Sequence, residues 1–148
     1  MKKLVLFAAL IFPLLVACSS LVLSPVNYAW PVENVLRADN DGFVEEKRHS
    51  ISFNIKPILV TEFNDTTNIE SREIRIIRNS SGFYFITGSG FKNVYVFESE
   101  DGELSLKDKL AVSETAFQNP VFNQKESHIE LRDSEKKYVL TNNDVAGE

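Results

Sequence analysis

One cysteine, two histidines, one methionine and one tryptophan are all that this 148-residue chain has of its scarcer chemistry. A single thiol cannot close a disulfide within the fold, so Cys18 is a core residue, a nucleophile, an intermolecular link or an anchoring point. Long apolar runs are missing too: the apolar run Leu4 to Val16 has thirteen residues, short of the roughly 20 that a spanning helix needs. Positive charge is in deficit, with 16 basic against 21 acidic residues and a net charge of −5. No basic patch interleaved with aromatics occurs, which argues against a nucleic-acid partner. The sequence has no G-x-S-x-G elbow, no S-x-x-K, no H-E-x-x-H and no phosphate-binding glycine loop. Its one G-x-G, Gly88-Ser89-Gly90, joins two strand-like segments and opens no helix, so it reads as a hairpin loop.

What is present begins at the amino terminus. Lys2 and Lys3 precede the apolar run, which is broken only by Pro13 and ends in Leu15-Val16-Ala17-Cys18. A charged start followed by a short apolar stretch is the form of an export signal. The L-V-A-C end resembles the lipobox of bacterial lipoprotein signal peptides. That resemblance covers the first 18 or so residues and implies a diacylglyceryl thioether on Cys18, cleavage before it, and acylation of the new amino terminus. More than one acyl chain makes a durable anchor, because each buried methylene contributes about 0.8 kcal/mol. In the same family a serine after the cysteine, here Ser19, is compatible with sorting to an outer membrane, facing the periplasm.

The domain scheme follows: residues 1–17 as signal peptide, 18–26 as a lipidated tether, 27–142 as a single β-rich domain and 143–148 as a flexible tail. Without residues 1–17 the chain has 131 residues, with 14 basic against 21 acidic. That length suits one domain able to bury about two-thirds of its unfolded surface. So acidic a domain is repelled by an anionic lipid surface, so the acyl chains must do the anchoring.

The "YAWPVENVLRAD" segment supports either a one- to two-turn helix entered at Pro31 or an edge strand that Pro31 interrupts. From residue 50 the period is two. Ile51, Phe53 and Ile55 alternate with polar residues, an Ile58 to Phe63 strand is expected after Pro57, and "REIRIIRN" turns through "SSG" into "FYFIT". Further strands are expected at 93–98, 103–106, 127–132 and 137–141. Their connections have turn chemistry and hairpin lengths. With Ser80-Ser81 as the hairpin tip, Ile77 should face Tyr84 and Ile76 should face Phe85. Apolar residues then occupy both faces, the mark of a central strand covered on both sides, with Arg72, Arg75 and Arg78 near the margins. The expected fold is all-β: a small antiparallel β-sandwich or partly open barrel built from hairpins, with one short N-terminal helix as an option.

Site chemistry is sparse. Glu126-x-His128-x-Glu130 is the sharpest metal-like spacing, since residues two apart on a strand share a face about 6–7 Å apart. Ile129 and Leu131 between them look like the core side, so the Glu-His-Glu side should meet solvent, and no metal or cofactor is expected. Asp39, Asp41 and Gly42 fall at EF-hand offsets. Arg37 and Arg48 would then occupy the first and twelfth ligand positions, which is wrong for calcium, so an Asp-Gly turn is the better reading. Tyr28, Trp30 and Phe91 lie in irregular segments and are the expected contact surface. Carboxylate pairs such as Glu45-Glu46 or Glu98-Glu100 are too ordinary to specify a hydrolase.

These features favour a non-enzymatic envelope lipoprotein, attached to the membrane through Cys18 and contacting another envelope protein. A glycan or small-ligand binding module is the alternative, and it calls for a concave pocket.

Overall fold

Two short segments of the same design set the hairpins. In Asp39-Asn-Asp-Gly42-Phe43 and in Asn79-Ser-Ser-Gly82-Phe83, the leading side-chain oxygen accepts two backbone N–H groups, two and four residues on. Asp39 accepts from Asp41 and Phe43 at 2.9 and 2.8 Å, and Asn79 accepts from Ser81 and Phe83 at 3.0 and 2.9 Å. Gly42 and Gly82 then take φ of 86° and 93°, a conformation open to glycine at no steric cost. The calcium-like offsets around Asp39 are therefore turn chemistry.

The computed structural model describes residues 32–100 and 103–147. Its strands are β1 (Asn34–Arg37), β2 (Phe43–Glu46), β3 (Ile51–Asn54), β4 (Glu73–Arg78), β5 (Tyr84–Gly88), β6 (Asn93–Glu100), β7 (Glu103–Ala111), β8 (Pro120–Gln124), β9 (Ile129–Asp133), β10 (Lys136–Leu140) and β11 (Val145–Gly147). A helix, α1 (Lys56–Phe63), and a 3-10 turn, Ile69–Ser71, sit between β3 and β4. All pairings are antiparallel, in a five-stranded sheet β1-β4-β5-β6-β7, a four-stranded sheet β11-β10-β9-β8 and a hairpin β2-β3. The all-β, hairpin-built expectation is met.

The first sheet is apolar on both faces. β5 is buried at all five positions. On one face Ile74, Ile76, Tyr84, Ile86 and Tyr95 are buried, and they are covered by the β2-β3 hairpin and α1: Tyr84 stacks edge-on with His49, and the Tyr95 hydroxyl donates to Glu62 at 2.9 Å. The other face carries Ile77, Phe85, Val94 and Val96. These belong to one continuous core with Phe122, Ile129, Leu131 and Leu140 of the second sheet. Fully burying a side chain such as Phe85 contributes about 1.5–3 kcal/mol, so the two-sided sheet carries the stability of the fold.

One open choice is decided for the edge strand, and four expectations need correction. The N-terminal segment is strand at 34–37, because β1 pairs with β4 from Asn34↔Ile76 to Arg37↔Glu73 and extends the sheet by one edge. Ile58 to Phe63 is helix, not strand. Pro57 sits in its first turn, where a missing N–H costs nothing, and Asn64 closes it in the left-handed region with its N–H on the Val60 carbonyl.

The β4-β5 hairpin is one residue out of the expected register. Asn79 pairs with Phe83 instead of Gly82, so Ile77 faces Phe85 and Ile76 faces Ile86. The five-residue Asx turn, not a two-residue tip, fixes this, and a one-residue shift moves side chains between faces. β2 is a strand within the segment read as an Asp-Gly turn, and β8 adds a strand that the period-two reading does not include. The tail is not free either, since β11 pairs with β10 from Tyr138↔Gly147 to Leu140↔Val145. The expected Asp101-Gly102 turn lies outside the described residues, although Glu100 and Glu103 on either side are paired.

Candidate functional site

The sandwich is open along the side where β1 and β4 face the start of β8. Arg37 and Glu73 are cross-strand partners there, and Arg75 lies two residues along β4 on the same face. A cleft of about 370 Å3 opens between these residues, Ser71 and Arg72 on one lip and Ser89 with Gln118 to Pro120 on the other.

Backbone and side-chain bonds fix both lips. The Glu33 carboxylate spans the two sheets, accepting the Arg75 Nη1 donor at 2.9 Å and the Phe122 N–H at 2.8 Å. On the far lip, Asp133 Oδ1 accepts the N–H groups of Gln118 and Asn119 at 2.9 and 2.7 Å, and the Ser89 hydroxyl donates to the Gln118 carbonyl at 3.0 Å.

The three arginines are not equivalent. Arg75 is largely buried and meets Glu33 at 2.9 Å and Glu73 at 3.7 Å. Arg37 is two-thirds exposed and meets Glu73 at 3.4 Å. Arg72 has no carboxylate within ion-pair distance among the described residues. Its guanidinium lies 3.9 Å over the Phe63 ring, and its Nε is enclosed without a hydrogen-bond partner.

A second polar cluster surrounds Glu46, only 1% exposed. Its carboxylate accepts Asn34 Nδ2 at 2.8 Å and the N–H groups of Arg48 and His49 at 3.2 and 2.7 Å, and it lies 2.8 Å from His49 Nδ1. Burial alone would raise this carboxyl. The bonds from Asn34 and His49 outweigh burial and hold it below the usual carboxylate value. Burial raises the neighbouring Tyr84 phenol against the pull of Arg78, with Glu46 adding to the rise. Glu46 is thus an anchor for the 46–49 turn. Glu45 and Glu46 are successive strand residues, one exposed and one buried, so they do not converge on one site.

The Glu126-His128-Glu130 face is not a solvated row. Glu130 is 1% exposed, lying beneath Arg132 Nε at 2.6 Å and Lys137 Nζ at 2.9 Å. The long aliphatic stems of Arg and Lys cover it. Burial pushes the Glu130 carboxyl up, and the two bonded cations more than reverse that, leaving it below its ordinary value. Among the described residues no group of three or more His, Cys, Asp or Glu is arranged to hold a metal ion.

The expected lipid-attachment residue Cys18 and two of the expected contact residues, Tyr28 and Trp30, lie outside the described residues. Phe91 is described, and it is fully buried. The loop after Gly88 folds back so that Gly90 N–H bonds the Phe117 carbonyl and Phe117 N–H bonds that of Phe91, both at 2.8 Å. The Phe91 ring packs edge-on against Phe63 at 5.3 Å and Tyr95 at 6.5 Å. An irregular backbone tied to the Phe117 segment on both sides of Phe91 holds its aromatic inside, so Phe91 presents no contact surface.

The cleft was missed because its arginines come from β1, β4 and the turn before it, and they converge only through strand pairing. Only their marginal position in "SREIRIIR" was readable.

The chain matches no protein-family model, no curated protein and no solved structure among those compared. No helix among the described residues is long and apolar enough to cross a membrane.

Proposed function

We propose that this chain is a lipid-anchored bacterial envelope protein whose β-domain is a non-enzymatic interaction module for another envelope protein. The address rests on the sequence: two lysines, a thirteen-residue apolar run and Leu15-Val16-Ala17-Cys18, with lipidated Cys18 holding the chain at the membrane, on the periplasmic face of an outer membrane.

The interaction role rests on one observation. Val35, Leu106 and Val121 are 45%, 56% and 42% exposed, and each lies on an edge strand, β1, β7 and β8. Edge strands present unpaired backbone groups, and folds commonly blunt them with charge. Apolar side chains on such edges suit a partner that adds a strand and seats its own apolar residues.

The test places a photocrosslinking residue at Leu106 or Val121 in intact native cells, with Lys136 as the comparison site. One partner captured at an edge and not at Lys136 is the expected result. Equal capture at all three sites, or at none, refutes the interaction reading. Membrane retention of Cys18→Ala refutes the anchor.

A further inference from the structure

We propose that the cleft on the open side of the sandwich binds a small oxyanion, a phosphate or carboxylate group, with Arg72 as its principal contact and Arg37 and Arg75 beside it. The inference is independent of the lipid anchor and of the strand edges.

Charge is the first argument. In a chain with 21 acidic and 16 basic residues, this cleft gathers three arginines around one lining carboxylate, Glu73. Glu73 and Glu33 together account for Arg37 and Arg75. Arg72 is left with no carboxylate in ion-pair contact among the described residues; Asp65 feels its charge only at longer range.

The state of the Arg72 side chain is the second. The Phe63 ring, itself held edge-on by Phe91, fixes the guanidinium plane. Nε is enclosed, while no side-chain nitrogen of Arg72 donates to another described residue; its backbone N–H bonds the Ile69 carbonyl. Among the described residues Nη1 and Nη2 are therefore unpaired, and they are not enclosed, on a residue that lines the cleft. A guanidinium with a fixed plane and two unpaired terminal donors matches the two oxygens of a carboxylate or phosphate, and little side-chain entropy remains to be lost on binding.

Space is the third. A volume of about 370 Å3 falls within the range of small-molecule sites. The Asn119 amide on its lip, and the Ser71 and Ser89 hydroxyl oxygens, which donate to the Asn68 and Gln118 carbonyls and can still accept, suit an organic anion that carries its own hydroxyl donor.

The test is calorimetric titration of the full chain in neutral detergent with inorganic phosphate and, separately, with citrate. Saturable binding at millimolar concentration or below is expected for at least one. Arg72→Met should weaken it about tenfold or more, the scale of a charge-assisted bond pair. Lys109→Met, the same charge change beside Tyr95 on β7, should change it less than about twofold. Vesicles containing phosphatidylglycerol separate the two sources. Displacement of bound phosphate by them, absent with phosphatidylcholine, assigns the oxyanion to a lipid headgroup; no displacement assigns it to a soluble ligand.

Should Arg72→Met fail to fold, the exposed Arg37→Met decides, with weakening of about threefold expected. Absence of saturable binding by either anion overturns the proposal. So does an equal loss in the cleft variant and in Lys109→Met, which would mean diffuse charge without a site.

Discussion

Removing the Glu46 carboxylate should cost this small domain a large part of its stability. In Glu46→Ala, the Asn34 amide, the N–H groups of Arg48 and His49 and the His49 ring all lose their common acceptor. A hydrogen bond to a charged group contributes about 1.5–3 kcal/mol net, and donors left without an acceptor add to the loss. The contributions do not sum, because four donors share two oxygens and the His49 side chain remains 29% exposed. We expect a loss of about 3–4 kcal/mol, against a total stability on the order of 5–15 kcal/mol. At this chain length the melting temperature should fall by roughly 10 °C.

Glu46→Gln keeps the shape but turns an amide NH2 toward donors, and should cost about 2 kcal/mol. The folded carboxyl titrates below its ordinary 4.5, so its charged form is the one stabilised. Its contribution is complete above that unfolded value and disappears as the pH falls through the lower folded value. The gap between wild type and Glu46→Gln, measured by urea unfolding at a series of pH values, should therefore be constant near pH 7 and shrink only below about 4.5. A Glu46→Ala protein within about 1 kcal/mol of wild type at neutral pH, or a gap that widens in acid, would refute the reasoning.

Three other perturbations test the frame around this cluster. A Cβ added at Gly88 would stand 2.6 Å from the Glu73 carbonyl, so Gly88→Ala should cost about 1–3 kcal/mol by forcing β4 and β5 apart, seen as an earlier urea midpoint. Asn79→Ala removes the acceptor of two turn N–H groups and the bond from Asn79 Nδ2 to Asn142. It should cost about 1–2 kcal/mol, and an unchanged midpoint would deny the Asx turn its role in setting register. Deleting residues 144–148 removes β11 from its place beside β10 and uncovers the half-buried Val145 contact. We expect about 1–2 kcal/mol of lost stability, where a free tail would give none.

The parts of the fold that were legible in sequence are those governed by a local rule. Period-two alternation from Ile51 onward, the "SSG" break and the apolar "VYVF" run report which residues are covered, and coverage is what makes β4, β5 and β6 central strands. The errors fall where a single local residue carries more than one meaning. Pro57 is compatible with ending a strand or starting a helix, and only the left-handed cap at Asn64 settles it for the helix. The turn at Asn79 was placed correctly, yet its length was not: a side-chain oxygen bonding four residues ahead lengthens the loop by one residue and exchanges the partners of Ile76 and Ile77.

Charged residues were harder to read still, because burial of a carboxylate depends on donors brought from elsewhere. Glu46 and Glu130 sit in runs that look solvated, "FVEEKRH" and "KESHIELR", and both are 1% exposed. The acceptor at Glu46 is completed by Asn34, from a different strand, and the cover over Glu130 by Lys137, from the next. In each case strand pairing supplies what the periodicity omits.

The same logic separates the cleft from these two sites. Glu46 and Glu130 each have donors matched to their oxygens within the fold, so their charge is used up in holding strands together. At the open side the fold brings three guanidinium groups to two carboxylates and fixes the third against an aromatic ring. A chain with an excess of acids had carboxylates available to match it. The cation at Arg72, without an ion-pair partner among the described residues, is therefore the feature, rather than any motif, that an external anion would complete.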